Sequence, residues 1–183
     1  MTVPLSGYEV AEHVKKQFPQ AVVEATENTL VLQSESVRVV AQFLHDSPSL
    51  RFDYLACLSG VDYADYFEVV YHLVSIEHNH SLTAKARLED RENPEVPSVT
   101  PVWQGADLQE RETYDLMGIN FPGHPNLKRL LLWEGFPGHP LRKDYYQVHR
   151  PDMGYTITGG RPEPELDEAA RKIEQKPPRA LPL

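Results

Sequence analysis

The chain has 183 residues, with 18 Lys+Arg against 27 Asp+Glu and a formal net charge of -9. Its 40% hydrophobic and 25% charged residues match ordinary globular usage, so the length fits one domain plus extra chain and argues against disorder throughout. An acidic chain is a poor general ligand for phosphate backbones, and no nucleic-acid role is expected.

Ser6-x-x-Glu9 reads as a capping box. Val10, Val14 and Phe18 follow at helical spacing, and Pro19 ends that helix. Ala21-Val22-Val23 and Leu30-Val31-Leu32 flank Glu27-Asn28 as two short strands around a turn. A second helix buries Val37, Val40, Ala41 and Leu44 and stops at Ser47-Pro48. Three strands come next. Residues 52–62 and 67–77 read as buried on both faces. In residues 81–89, Leu82, Ala84, Ala86 and Leu88 alternate with Thr83, Lys85, Arg87 and Glu89. His78-Asn79-His80 makes the intervening turn, where solvated histidines are expected. Residues 90–101 form a Pro-containing loop. Residues 103–116 form a third helix, with Gly118 as its C-terminal cap. Counting the 21–32 hairpin as one β unit, the order helix–β–helix–β–β–β–helix points to an α+β fold, a mainly antiparallel sheet with helices packed on one side.

Composition changes after Asn120. Ten of the 16 prolines fall between Pro122 and Pro182, which disfavours helix and central strand. The same stretch keeps Phe121, Leu127, Leu130, Leu131, Leu132, Trp133, Phe136, Leu141, Tyr145 and Tyr146, more apolar surface than a flexible spacer has use for. Residues 1–120 are therefore expected as the globular body, and residues 121–183 as an extended Pro-rich arm. Two courses for the arm stay open: over a partner protein, or back over its own sheet.

Helical spacing puts Glu110 with Tyr114, and Arg111 with Asp115. This cluster is favoured as an ion-pair network fixing the helix, over a catalytic or metal-binding carboxylate set. Phe121-Pro122-Gly123-His124-Pro125 recurs as Phe136-Pro137-Gly138-His139-Pro140. Turn formation explains the repeat better than paired metal ligands. Lys128, Arg129, Arg142 and Lys143 suit charge complementarity with a partner. Cys57, alone in the chain, reads as a small core residue. It excludes an internal disulfide and a self-contained iron–sulfur cluster, which needs several thiolates. Dinucleotide, P-loop and Ser-elbow motifs are absent from the sequence. No apolar run approaches the length of a membrane span, and no secretory signal is visible.

The run Glu110-Arg111-Glu112-x-Tyr114-Asp115-Leu116-Met117-Gly118-Ile119-x-Phe121-x-Gly123-His124-Pro125-x-Leu127-Lys128-Arg129-Leu130-Leu131, followed by Gly138-His139-Pro140-Leu141-Arg142-Lys143-Asp144-Tyr145, closely resembles the signature of the C-type, or "30 kDa", subunit family of proton-pumping NADH:quinone oxidoreductases. Residues 1–105 resemble that family only in layout and length. The resemblance implies a peripheral-arm α+β subunit whose C-terminal extension wraps over the D-type subunit, which helps to form the quinone site, in a hetero-oligomer. It implies no cofactor in this chain. FMN, iron–sulfur clusters and quinone would lie in partner subunits, with electrons passing from NADH to quinone and driving proton translocation. Membrane association would be indirect, on the cytoplasmic side of the cell membrane. The signature residues would then be partner-interface residues, with no catalytic role. Competing readings are the equivalent subunit of a membrane-bound hydrogenase or other quinone-linked dehydrogenase, and a free-standing metal enzyme using His124, His139, Glu110, Glu112 or Asp115.

Overall fold

The computed structural model describes residues 2–150 and 155–159, the stretches 146–150 and 155–159 as backbone alone. Strand β1 (Val3–Pro4), helix α1 (Gly7–Gln17), strands β2 (Val22–Ala25) and β3 (Thr29–Gln33), helix α2 (Val37–Asp46), strands β4 (Tyr54–Asp62), β5 (Phe67–Ser75) and β6 (His80–Leu88), and helix α3 (Ala106–Met117) follow in order. The six strands form one sheet in the order β2-β3-β6-β5-β4, with β1 beside β6. It is mixed: β1 and β3 run parallel to β6, and the remaining pairs are antiparallel. Strands β7 (Tyr146–Arg150) and β8 (Tyr155–Gly159) make a separate two-stranded sheet.

Register explains the core. Leu82, Ala84, Ala86 and Leu88 of β6 lie opposite Leu73, Tyr71, Val69 and Phe67 of β5. Leu30 and Leu32 of β3 flank Ala84 and Ala86 on the other side. All are buried, and all join one cluster with Val10, Ala11 and Val14 of α1 and Val37, Val40, Ala41 and Leu44 of α2. The helices thus cover one face of the sheet, as an α+β sequence pattern requires. Burying side chains of this size contributes about 1.5–3 kcal/mol each.

Several local expectations are corrected. Strand β4 is not buried on both faces, since Tyr54 and Cys57 are exposed. The register shifts between Leu55 and Cys57, and this bulge sets Cys57 opposite His72, away from the core. Ser6 stands at the N-cap of α1 but makes no side-chain cap bond. The helix start is held instead by Gly7 N–H donating to the Glu27 carbonyl. His78 and His80 are not simply solvated. Their Nε2 atoms reach the Pro48 and Leu50 carbonyls at 2.9 and 2.6 Å, tying the chain after α2 to the β5–β6 turn. Helix α3 starts three residues later than the pattern suggests. The Trp103 indole N–H donates to the Phe52 carbonyl at 2.9 Å and holds that residue in the preceding turn.

Helix α3 also closes the β4 border of the sheet. The Gln109 side-chain oxygen accepts the Leu58 N–H. A Cβ on Gly60 would fall 2.5 Å from Met117 Sδ and 3.0 Å from Thr113 Cγ2, so glycine there admits the helix.

Gly7 is the tightest of these fits, because a Cβ there would overlap the carbonyl oxygens of Thr26 and Thr29, which are backbone and cannot swing aside. Gly7→Ala is expected to lower stability by about 1–3 kcal/mol, read as a lower urea midpoint with an unchanged slope. An unaltered midpoint would show that α1 is not seated against the β2–β3 turn as described.

Candidate functional site

The signature segment is built on two fully buried carboxylates of α3, Glu110 and Asp115. Asp115 Oδ2 accepts the backbone N–H groups of Leu130, Leu131 and Leu132 at 2.9, 2.8 and 2.9 Å. Its Oδ1 takes Arg129 Nη1 at 2.8 Å. Three successive amides converging on one oxygen form an anion nest, here filled by the protein's own side chain. Burial by itself would raise the Asp115 pKa. The three amides and the Arg129 guanidinium outweigh it and hold the carboxyl below the usual aspartate value.

Glu110 is served differently. It accepts from Ser98 Oγ at 2.7 Å, Val99 N–H at 2.7 Å and Thr100 Oγ1 at 3.2 Å. Its nearest cation candidate is His124, with Nε2 4.0 Å away. His124 Nδ1 accepts the Asn126 N–H at 3.0 Å, so the proton sits on Nε2, which donates to the Asp107 carbonyl at 3.1 Å. Burial dominates at Glu110 and pushes its pKa up, against the three hydrogen bonds and His124. The buried Tyr71 hydroxyl has no hydrogen-bond partner, and burial followed by the Glu110 charge raises its pKa well above normal.

The duplicated turns have a shared job. His124 Nε2 grips the Asp107 carbonyl near the start of α3, while His139 Nδ1 grips the Asp115 carbonyl at 2.9 Å near its end. Gly123 and Gly138 take φ of 88° and 73°, as turn chemistry predicts. Gly118 caps α3 at φ 74°, and a Cβ on it would strike the His139 ring. Arg129 Nη2 also donates to the Phe136 and Gly138 carbonyls at 3.0 and 3.2 Å. Arg111 donates to the carbonyls of Lys128 and Arg129, both at 3.2 Å, and makes no ion pair with Asp115. The expected Arg111–Asp115 helical pair is thus replaced by Arg129, which reaches Asp115 from the adjoining loop.

The far end of the segment is latched to the sheet. Asp62 Oδ2 accepts the Lys143 N–H at 2.7 Å, and Asp62 Oδ1 pairs with Arg91. Arg142 donates to the Arg91 carbonyl at 2.8 Å and lies over the Phe67 ring, 4.9 Å from its centroid. Asp144 pairs with Arg91 and Arg142 at 3.6 and 3.3 Å. Tyr145 Oη donates to the Pro137 carbonyl at 3.0 Å, and the Leu141 N–H bonds the Leu116 carbonyl.

Residues 121–145, read from sequence as the beginning of the arm, are therefore seated on the body itself. Phe121 lies in the core, with Leu127 packed against it. Tyr114 packs there too, its ring edge-on to His139. Glu112, Pro125, Leu141, Lys143 and Asp144 are exposed, and Pro140 is partly so. Within this segment Leu131 (63%), Trp133 (65%) and Leu141 (59%) are large apolar side chains left exposed. Sequence reasoning misses Asp62, Arg91, Ser98, Thr100 and Gln109, whose pairings span 10 to 81 residues. Among the described residues, no group of three or more His, Cys, Asp or Glu could hold a metal ion. His124 and His139 both spend ring nitrogens on backbone carbonyls.

A profile described as "Respiratory-chain NADH dehydrogenase, 30 Kd subunit" matches residues 30–151. The chain belongs to this family. The match reaches well upstream of the signature and takes in most of the sheet. Among relatives, the C-type subunit of the NADH-quinone oxidoreductase of Roseiflexus sp. (strain RS-1) is 43% identical over 147 residues, covering 76% of this chain and 84% of the relative. The corresponding NADH-quinone oxidoreductase subunit of Cupriavidus pinatubonensis (strain JMP 134 / LMG 1197) is 43% identical over 144 residues, covering 73% and 72%. Among solved structures, a chain of the membrane-bound sulfane sulfur reductase, an archaeal respiratory membrane complex, shares the fold with a TM-score of 0.61 at 23% identity, over 75% of this chain and 84% of that one.

The two α3 carboxylates carry opposite pH signatures. Asp115 titrates below its ordinary 3.8 in the folded chain. Its contribution is complete above that value and is lost as pH falls toward the lowered one. Glu110 titrates above its ordinary 4.5, so stability declines as pH rises from 4.5 toward the raised value. Asp115→Asn should flatten the acid limb of the stability profile and cost about 2–4 kcal/mol near neutrality. Glu110→Gln should remove the opposing slope and cost less at neutral pH. Urea unfolding followed from roughly pH 3 to 8 tests both; an unchanged acid limb in Asp115→Asn would refute the assignment.

Proposed function

We propose that this chain is the C-type structural subunit of a proton-pumping NADH:quinone oxidoreductase, with no active site of its own. It braces the quinone-reducing module from the peripheral arm and docks on the D-type, quinone-site subunit through the segment beginning at residue 121. Electrons pass from NADH through FMN and iron–sulfur clusters to quinone in companion subunits, and the complex couples this flow to proton translocation. Its place is on the cytoplasmic side of the membrane, held there through the complex; no described helix is long and apolar enough to cross a membrane.

The supporting observation is how the signature spends its charge. Asp115 and Arg129 are saturated by backbone groups and each other. Glu110 is enclosed by Ser98, Val99 and Thr100. Beside the exposed charges of Glu112, Lys128, Glu134, Lys143 and Asp144, this framework presents three large apolar side chains outward: Leu131, Trp133 and Leu141. Fixed exposed apolar side chains of this kind are characteristic of an interaction surface. The relatives, each a subunit of an NADH-quinone oxidoreductase, point to the kind of complex.

The reading is tested by tagging the full chain in its own cells and identifying what leaves the membrane with it. Companions that bind NADH and quinone are the expected result. A nickel-binding large subunit instead would assign the chain to a hydrogenase-type complex, and recovery of the chain alone would refute the subunit reading. Trp133→Ala should reduce recovery of companions by at least about tenfold, in line with loss of an aromatic anchor, while the urea midpoint stays unchanged. Full recovery would exclude this turn from the interface.

A further inference from the structure

The two histidine turns hold helix α3 through opposite ring nitrogens. His139 Nδ1 lies 2.9 Å from the Asp115 carbonyl. A carbonyl only accepts, so that nitrogen carries the proton, and it keeps it when the ring is charged. His124 is wired the other way. Its Nε2 donates to the Asp107 carbonyl at 3.1 Å, and its Nδ1 accepts the Asn126 N–H at 3.0 Å. A second proton has to enter at Nδ1, where it meets a donor. The Asn126 bond therefore exists only on the neutral ring.

The charged ring has another seat close by. The His124 side chain is fully enclosed, and an enclosed imidazolium needs anions beside it. Asp107 Oδ1 is buried without a hydrogen-bond partner, 3.5 Å from Nε2, and Glu110 Oε2 lies 4.0 Å away. Both carboxylates belong to α3. From the other elements, α2 brings Arg38 beside Gly123, and β5 brings Tyr71 within the field of Glu110. The 98–100 loop brings two hydroxyls and an amide, all directed at Glu110. Two carboxylates thus stand near the ring against one guanidinium.

We propose that His124 is a proton-operated latch with two positions. Neutral, it holds the Asn126 N–H; protonated, it turns its Nε2–H to the Asp107 carboxylate and lets Asn126 go. The proton comes from solvent. The release is local, because Arg111 still holds the Lys128 and Arg129 carbonyls, and Asp115 still holds the amides of Leu130, Leu131 and Leu132. Acid thus frees the chain around Asn126 and leaves the His139 fastening closed. The inference concerns a turn within this chain and stands apart from the subunit reading.

The test follows the isotope-labelled full-length chain by NMR from about pH 8 to about pH 5, the range in which imidazoles change charge. At the upper end the His124 ring should carry its proton on Nε2 alone. On acidification the protection of the Asn126 amide, corrected for its intrinsic exchange rate, should fall about fivefold, the equivalent of one hydrogen bond. That fall should track the protonation of His124, while the amides of Leu130, Leu131 and Leu132 keep their protection. His124→Asn leaves an acceptor near the Nδ1 position and cannot titrate, so Asn126 should stay protected throughout. His124→Gln leaves a donor for Asp107 without that acceptor, so Asn126 should be unprotected throughout. Asp107→Asn removes the alternative seat and should move the release to lower pH. A neutral ring protonated on Nδ1, or wild-type Asn126 protection that ignores pH, overturns the latch, and both are read without any substitution. A release that persists in His124→Asn overturns it as well, by assigning the proton to another group.

Discussion

The fold of the signature segment depends on one buried anion. A fully enclosed carboxylate is costly unless hydrogen bonds replace its water. Asp115 meets that demand with three consecutive amides and one guanidinium, all from residues 129–132. The chain beyond α3 thus has little freedom at that point. It must turn so that Leu130, Leu131 and Leu132 direct their N–H groups at a single oxygen. Arg129, fixed by the same contact, then sets the next turn through the Phe136 and Gly138 carbonyls. A Pro-rich stretch with few regular hydrogen bonds acquires a defined path in this way.

Helix α3 acts as a two-sided beam. One side meets β4, through Gln109, Thr113 and Met117. The other holds the loop at both ends of the helix, through His124 at Asp107 and His139 at Asp115. The Phe-Pro-Gly-His-Pro echo is therefore a repeated fastening. Polar groups spent on the backbone here do more for geometry than for net stability, because the desolvation of each charge offsets much of its attraction.

Much of this can be read in the sequence, and the limits have physical causes. The alternation Leu82, Ala84, Ala86, Leu88 identifies the buried face of β6 directly, and the spacing of Val37, Val40, Ala41 and Leu44 identifies that of α2. Gly118, Gly123 and Gly138 signal positive φ, which the backbone adopts. Cys57 is easily misplaced because a bulge moves a residue to the other face without leaving any mark in composition. Arg111 draws the wrong pairing because helical spacing finds local partners, whereas Arg129 comes from a loop 14 residues on. Asp62 escapes notice for the same reason: nothing in a strand-end aspartate announces an amide 81 positions later.

The sheet's borders have a further meaning. At β4 the Leu58 N–H is already taken by the Gln109 side chain, with α3 lying alongside. At the opposite border β2 is four residues long and breaks register between Val22 and Glu24. Open strand edges are templates on which further copies can stack. A polypeptide made in excess over its companions and left waiting in the cell therefore offers scant purchase for growth into fibres, even while its greasy turn stands uncovered.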